Sequence, residues 1–507
     1  MPPPYAAIIR PRYTAKWGRN MAERTDAPAT LLMTKGGDAR IVLKPESRLN
    51  KYYSAPRPSE VLAYASSTAN DISADAFAHV EARLREVAPA GELSPARYAE
   101  ALEALRGRIR RAYEVGEDVA IMFAPSGTDL EYVALACTGG KAPNGTHNIL
   151  LGADEVGSGC IYSAFGQYFA ESTALGVATE AGQPVPGLGE THVEMIDIPV
   201  RDESGYGRRS SEIAAAVREA IGHASAAGRH PLVHVVHGSK TGLILPTLDD
   251  IDALRAEHDA TFVVDACQAR ITAAAVGDYL ERGAIVFVTG SKFMGGPPFS
   301  GFALVPAALA QGRQELPHGF TTLFRRAEWP AGWPGADRLP DTPNLGLLLR
   351  LEASIFELER FQRLPAETAE RVILAFHAAV RSEIVEALNV RRVAPYPRGD
   401  KQEADTHPIE MRTLSTLDLS HLAGRDWTFE DAQRWHKDLL AHDIRLGQPV
   451  KCVKLEDGRW GATLRIGLTM WQVVDRAGLD GHELAASFEA DMKRVAAALK
   501  AVASDQP

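Results

Sequence analysis

The chain has 507 residues, of which 45% are hydrophobic and 24% charged, and its formal net charge is −10. That length and apolar content suit a globular protein of more than one domain. The acidic balance argues against nucleic acid or an anionic membrane as the main partner. No apolar stretch approaches the roughly 20 residues a membrane helix needs. The four cysteines, Cys137, Cys160, Cys267 and Cys452, show neither CxxC pairing nor zinc-like spacing. A reducing, cytoplasmic location without a bound metal is therefore expected.

Residues 1–46 read as an N-terminal tail, because the first 29 carry proline and arginine but no apolar signal core. Residues 47–117 read as an ordered arm followed by helices at 74–87 and 94–113. In the second helix Tyr98, Leu102, Leu105, Ile109 and Tyr113 keep helical spacing. Strand–helix alternation then begins. Strands are expected at 119–123, 149–151, 195–200, 232–236, 261–264, 284–289 and 302–305, with helices at 129–137, 161–169, 212–226 and 248–257. Such alternation calls for an α/β fold, a mostly parallel seven-stranded sheet between helices. Residues 318–341, rich in Trp, Pro and Arg, read as a long loop, and residues 344–361 as an amphipathic helix. This large domain is expected to span 118–364. Residues 365–507 mix helices (368–388, 430–441, 484–502) with strand-like segments near 409–413 and 464–469, which reads as a smaller α+β domain.

Two of the apolar runs stop at reactive groups. The run ending at Val264 meets Asp265, and the run ending at Thr289 meets Ser291-Lys292 and then Gly295-Gly296-Pro297-Pro298. In open parallel sheets ligands sit beyond the carboxyl ends of the strands, so these two residues can face one site. Singly, Asp265 reads as a cap or turn residue and Lys292 as a loop lysine. Jointly they supply what pyridoxal phosphate needs: an amine for a Schiff base and a carboxylate that keeps the pyridine nitrogen protonated. Lys292 is taken as the catalytic residue. Gln268 follows the acid in an Asp-x-x-Gln step, and Thr289 and Ser291 bracket the lysine in a turn suited to a phosphate. Earlier, Ser126-Gly127-Thr128 sits where a strand hands over to a helix, where backbone N–H groups and the helix dipole favour an anion. An ordinary helix cap is the competing reading.

Together, Ser126-Gly127-Thr128, Asp265-x-x-Gln268, Ser291-Lys292 and Asp341-Thr342-Pro343-Asn344 resemble the pyridoxal-phosphate enzymes of fold type I. The likeness is closest to the class V aminotransferase and cysteine-desulfurase branch and covers residues 50–502. The resemblance implies an aspartate-aminotransferase-like fold, pyridoxal 5′-phosphate as cofactor, an amino-acid substrate and a homodimer with shared sites. It implies that Ser126, Gly127 and Thr128 hold the phosphate, Asp265 pairs with the pyridinium nitrogen, Gln268 contacts the ring oxygen and Lys292 forms the Schiff base. It also implies that Thr342 reaches the phosphate of the neighbouring subunit. Arg465, in Leu464-Arg465-Ile466-Gly467-Leu468, would clamp the substrate carboxylate, a role that suits a bidentate guanidinium.

The chain departs from the family pattern in four places. Ser291 stands where histidine is usual, and Asp341 where glycine is usual. No aromatic or histidine falls in register within residues 154–158 to stack on the cofactor ring. Ser239-Lys240-Thr241-Gly242 replaces an Asn-Glu-Thr-Gly loop, with His237, read as a structural hydrogen-bonding residue, just before it. These departures mark a divergent member. An aminotransferase is expected, with an eliminating or decarboxylating lyase and a non-catalytic cofactor-binding module as the alternatives. Cysteine desulfuration is disfavoured because it needs a thiolate on a mobile loop, whereas Cys452 reads as a buried structural cysteine.

Overall fold

The computed structural model describes residues 27–504 except 66–68, 90, 154, 158, 189–191, 313 and 398–407. Most of the stretch read as a tail, residues 1–26, lies outside the described residues. The described part of that stretch is folded rather than loose. Helix α1 (Pro28–Met33) buries Ala29, Thr30 and Met33. A strand, β1 (Leu62–Tyr64), and two helices follow, α2 (Ala74–Val87) and α3 (Pro95–Tyr113). Ser73 and Ser94 cap the helices, each accepting a backbone N–H from the first turn, and Pro95 starts α3 where a missing N–H costs nothing.

The large sheet comprises β2 (Ala120–Ala124), β3 (Thr146–Leu151), β4 (Val193–Ile198), β5 (His230–His237), β6 (Ile244–Leu245), β7 (Thr261–Asp265), β8 (Ile285–Thr289) and β9 (Gly301–Val305). Seven strands run in the order β2-β9-β8-β7-β5-β3-β4, and short β6 pairs with β5. Along that path only β9 runs antiparallel to its neighbours. Both faces are covered, as the unbroken apolar runs require. Ile121, Phe123, Val286 and Val288 enter one core, while Met122, Ala124, Ile285 and Phe287 enter the other. Helices α4 (Leu130–Thr138), α5 (Cys160–Ala164), α6 (Ser210–Ala226), α7 (Leu248–Glu257), α8 (Ala273–Glu281) and α9 (Ala307–Gln311) connect the strands. The stretch at 318–341 is a loop with short 3-10 turns, and its Phe320, Phe324, Trp329 and Trp333 close the second core.

Helix α10 (Leu345–Gln362) packs along α2 and α3. Beyond it lie α11 (Ala366–Val380), β10 (Arg391–Val393), β11 (Leu414–Asp418), α12 (Phe429–Asp438), β12 (Ile444–Leu446), β13 (Thr463–Gly467), α13 (Met470–Arg476) and α14 (Gly481–Ser504). Strands β10, β11 and β13 form a small antiparallel sheet. Strand β1 pairs in parallel with β12, and buried Tyr64 joins the core of this C-terminal unit.

Three local expectations change. The helix expected over 161–169 stops at Ala164, because Gly166 turns the chain at a φ of 70°. The strand expected near 409–413 is a 3-10 turn after Pro408, tied by Thr413 Oγ1 donating to the Glu410 carbonyl, and pairing starts at Leu414. The helix expected over 368–388 runs as an α-helix only to Val380, then widens into a π turn at Arg381–Glu386.

Glu352 of α10 joins these helices electrostatically. It meets His79 Nε2 at 3.1 Å, Arg83 Nε at 2.9 Å and Arg108 Nη1 at 2.6 Å. Burial alone would raise its carboxyl, but the His79 hydrogen bond and the Arg108 and Arg83 charges outweigh burial and hold it at about 2. Because the folded value lies below the ordinary one, this stabilisation is complete above pH 4.5 and is lost as pH falls through about 2. Glu352→Ala should cost about 2 kcal/mol by urea denaturation at neutral pH, discounted for the partly exposed arginines. The gap from the wild type should close in acid.

Candidate active site

The site starts from one pairing. Register sets Asp265, the last residue of β7, beside Phe287 of β8, two residues before the strand ends at Thr289. Asp265 Oδ1 accepts the Cys267 N–H at 2.9 Å, and Thr289 Oγ1 donates to the Cys267 carbonyl at 2.7 Å. These bonds lace the two strand ends together. Antiparallel β9 begins at the same edge, with Gly301 opposite both Thr289 and Ala124. The acid, the lysine turn and the Ser126–Thr128 loop therefore open into one cavity of 230 Å³.

The lysine turn is packed too tightly to move freely. A Cβ on Gly290 or Gly296 would run into Ser354 of α10, and one on Gly295 would meet Trp471. Asn70 Nδ2 donates to the Lys292 carbonyl at 2.6 Å, Phe293 N–H to the Gln268 carbonyl at 3.2 Å, and Met470 N–H to the Phe293 carbonyl at 2.7 Å. Arm, large domain and C-terminal unit all hold the turn. Lys292 and Ser291 line the cavity.

At one end of the cavity lies an anion cradle. Among the described residues the backbone N–H groups of Gly127 and Thr128 have no hydrogen-bond partner, and they sit just before the N-terminus of α4. A Cβ on Gly127 would come within 2.9 Å of Thr289 Cγ2 and 3.4 Å of Cys267 Sγ, so only glycine leaves the cradle open. Unpartnered N–H groups at a helix start fit a phosphate. Ser126 Oγ donates instead to Asp129 Oδ2 at 2.5 Å, and burial pushes the Asp129 carboxyl up to about 7. Thr289 likewise spends its hydroxyl on Cys267 and presents only its methyl group to the cradle.

Gln268 is oriented by Arg270, whose Nη1 donates to Gln268 Oε1 at 2.8 Å. A guanidinium has no acceptor, so the amide nitrogen is the end left to face the cavity as a donor. Arg270 is fully buried and also donates to Thr413 Oγ1 at 2.7 Å and to the Leu468 carbonyl at 3.3 Å. It joins Gln268 to the C-terminal unit.

The same wall receives Arg465 from β13, 2% exposed, whose Nε donates to the Gln448 carbonyl at 2.9 Å and Nη1 to the Lys240 carbonyl at 3.4 Å. Burial lowers its guanidinium to about 10. Thr342, by contrast, is exposed and lies outside the cavity wall, while Asn344 of the same motif caps α10 and donates to the Gly36 carbonyl. No aromatic residue stands at 155–157. Gly157 and Cys160 line that wall instead, and Asp154 and Ser158 lie outside the described residues. His237 is turned to Tyr279 Oη at 3.1 Å and does not line the cavity. No group of three or more His, Cys, Asp and Glu among the described residues could hold a metal.

Several lining residues escape a reading of the sequence: Arg40, Tyr52, Lys240, Phe299 and Gln448. Arg40 and Tyr52 come from the N-terminal segments, over 200 residues from Lys292, and carry no motif. Arg40 is held by Asp38 through bonds of 2.9 and 2.7 Å and lies over the Phe299 ring. Arg350, fully buried, brings that arm in by donating to the carbonyls of Met33, Lys35, Gly36 and Phe299. Lys240 did have a signal, since the Ser-Lys-Thr-Gly loop departs from the family pattern beside a strand end.

The cradle predicts that Gly127→Ala weakens binding of pyridoxal phosphate, used as a phosphate-bearing probe, about tenfold, on the order of 1.4 kcal/mol. Affinity for pyridoxal, which lacks the phosphate, should change less than twofold. Fluorescence titration of both forms checks this, and equal losses would remove the phosphate role.

No protein-family model and no curated protein matches the sequence. Solved structures do. A ureidoglycine–glyoxylate aminotransferase from Bacillus subtilis superposes with a TM-score of 0.53 at 13% identity, over 88% of this chain and 99% of that one. A cysteine desulfurase from Thermococcus onnurineus gives 0.53 at 17% identity, over 86% and 95%. The Escherichia coli cysteine desulfurase CsdA gives 0.55 at 13% identity, over 88% and 95%. Identities this low establish architecture and nothing finer. The chain has the fold of the class V, fold-type I aminotransferases and cysteine desulfurases, in a divergent form.

Proposed function

We propose that this chain is a pyridoxal-phosphate-dependent aminotransferase acting on an amino acid, with Lys292 as the residue that attaches the cofactor. One observation carries the reading: Asp265 and Lys292 open into a single cavity that an anion cradle and a buried arginine also line. When bound, the cofactor supplies an electron sink for charge developing at the substrate α-carbon. The chain supplies the rest. Gly127 and Thr128 offer N–H groups to the phosphate, Asp265 a carboxylate that favours a protonated ring nitrogen, and Gln268 an amide donor to the ring oxygen. Arg465 binds the α-carboxylate and so orients the α-carbon. The Nζ of Lys292 is the proton carrier within reach of the reacting centre. The turn that holds it, packed against α10, fixes where that proton can be delivered.

The thiols support aminotransfer over desulfuration. Cys160 and Cys267 line the cavity, but burial pushes both far up, so they stay protonated. Cys452 lies off this wall and is pushed up by burial to about 12. All four cysteines are buried and unpaired, in keeping with a cytoplasmic location. No helix among the described residues is long and apolar enough to cross a membrane.

We also propose a homodimer in which Thr342, exposed in one protomer, completes the cradle of its partner. Such an isologous interface makes two equivalent sites.

Borohydride treatment of the purified protein should abolish its cofactor absorbance, and peptide mapping should find the reduced adduct on Lys292. An adduct on another lysine would overturn the assignment. Lys292→Ala should keep its circular dichroism and lose turnover, and an amino-acid panel should release keto acid rather than ammonia or carbon dioxide.

The shared site is tested by mixing. Thr342→Ala alone should weaken cofactor retention by on the order of 1 kcal/mol. Co-expression of a Lys292→Ala chain with a Thr342→Ala chain should restore activity at limiting cofactor, because one site of each heterodimer stays whole. A fully active monomer by light scattering would rule the sharing out.

A further inference from the structure

The anion cradle holds one donor back. Gly127 and Thr128 offer backbone N–H groups, but the hydroxyl of Ser126, which lines the same cavity, is engaged by Asp129. Ser126 Oγ and Asp129 Oδ2 stand 2.5 Å apart, and the Asp129 N–H approaches Oγ at 3.3 Å. Asp129 itself is 6% exposed and does not line the cavity. It is therefore placed to act on a bound anion through Ser126 rather than by contact.

Three elements surround this carboxyl. Burial raises it, and so do the charges of Asp38, from the N-terminal turn, and Glu328, from the loop over 318–341. The Ser126 bond and the charge of Arg40 oppose them, and the carboxyl stands at about 7. Arg40 acts from a distance, because its Nε and Nη2 are given to Asp38 at 2.9 and 2.7 Å. Tyr132 and Tyr168 share a small cavity with Asp129 and Asp38, and their phenols are committed elsewhere. Tyr132 donates to the Gln167 carbonyl at 2.6 Å, and Tyr168 meets Thr322 Oγ1 at 2.9 Å. Ser126 is thus the side chain that bonds the Asp129 carboxyl among the described residues.

A bond between a hydroxyl and a carboxyl has two forms. While Asp129 is ionised it can only accept, so the Ser126 hydroxyl donates to it and has no hydrogen left for a phosphate. Once protonated, Asp129 donates to Ser126 Oγ and the hydroxyl hydrogen is released. We infer that Asp129 is a positioning residue of the cradle: it takes up one proton from solvent when a phosphate binds, donates to Ser126 Oγ, and so makes the Ser126 hydroxyl a further donor to the phosphate. The inference rests on the cofactor reading above and adds a proton to its binding step. A phosphate dianion disfavours a second negative charge beside it, so an occupied cradle holds the Asp129 carboxyl higher still. The sign follows. Below pH 7 Asp129 already carries the proton and the phosphate is held most tightly, whereas above pH 7 the proton has to be supplied on binding and affinity falls.

The test is fluorescence titration of the cofactor-free chain with pyridoxal phosphate and with pyridoxal, at pH 6.5 and pH 8. Pyridoxal phosphate should bind the wild type about fivefold tighter at the lower pH, beyond any change seen with pyridoxal. Asp129→Asn, a neutral side chain that still donates to Oγ, should match the wild type within about twofold at pH 6.5 and lose that dependence. Ser126→Ala should weaken binding about tenfold at pH 6.5 and distinctly less at pH 8. The phosphate's own proton, with a pKa of roughly 6, is common to the series and cancels between variants. Calorimetry of the wild type in two buffers of different ionisation enthalpy reads the Asp129 proton without any variant. At pH 7.5 pyridoxal phosphate should take up roughly half a proton more than pyridoxal. No excess uptake, an undiminished pH dependence in Asp129→Asn, or an equal cost of Ser126→Ala at both pH values would overturn the inference. Borohydride labelling of the same preparations separates the two levels. An adduct on Lys292 without excess proton uptake ends the Asp129 inference alone, whereas no adduct on Lys292 ends the cofactor reading beneath it.

Discussion

The pairing of β7 with β8 is the constraint on which the rest of the site depends. A shift of one residue would turn Asp265 to the opposite face of the sheet, because side chains alternate with a period of two. The shift is resisted from both faces, since Val286 and Val288 on one side and Ile285 and Phe287 on the other are all buried. The Thr289 hydroxyl on the Cys267 carbonyl ties the two strands again, just beyond the last paired residues. What looks like a catalytic motif is therefore held in place by apolar packing on two faces. Chemistry at the edge inherits its geometry from the core.

A second theme is the use of buried arginines without carboxylate partners. Arg270, Arg350 and Arg465 are each 2% exposed or less, and they donate to carbonyls, a hydroxyl and an amide oxygen. Burial lowers Arg270 and Arg350 to about 9, which measures the desolvation they bear. A planar guanidinium offers up to five donors in a fixed fork, so one side chain can reach several backbone carbonyls at once. Arg350 uses that fork to draw the N-terminal arm across the cavity, and Arg270 joins Gln268 to the C-terminal unit. The Arg350 bond to the Phe299 carbonyl also pins Phe299 at a φ of 71°, a region unfavourable for a bulky side chain. Structural cations thus shape the wall, and Arg465 stands apart because it also lines the cavity.

Much of the fold was legible because burial leaves a periodic trace. The strands of the large sheet read as unbroken apolar runs, and the helices on either side of them kept a helical period. Ser126-Gly127-Thr128, Asp265 and Lys292 were legible for another reason: each follows such a run, where a parallel sheet ends in polar chemistry. Short elements were less so. The 3-10 turn at Ile409–Thr413 and the early end at Ala164 are decided by single residues, Pro408 and Gly166, against an otherwise permissive pattern. Stretches of Trp and Pro such as 318–341 carry no period, yet they close a core, because aromatic burial there follows contact rather than repeat.

By itself, then, the sequence determined which segments must be buried and where reactive groups interrupt them, since both depend on neighbours along the chain. It also carried the short motifs that name a cofactor class. Only the tertiary structure decided which distant residues share the cavity. Arg40 and Tyr52 come from the N-terminal segments, and nothing local to either records that it lines one wall with Lys292. It also decided what the motif residues are free to do. Ser126 and Thr289 look like phosphate ligands in a string of letters, but in space their hydroxyls are given to Asp129 and to the Cys267 carbonyl. Arg465 Nη1 reaches the carbonyl of Lys240, 225 residues away in the chain, a contact that only the fold can make.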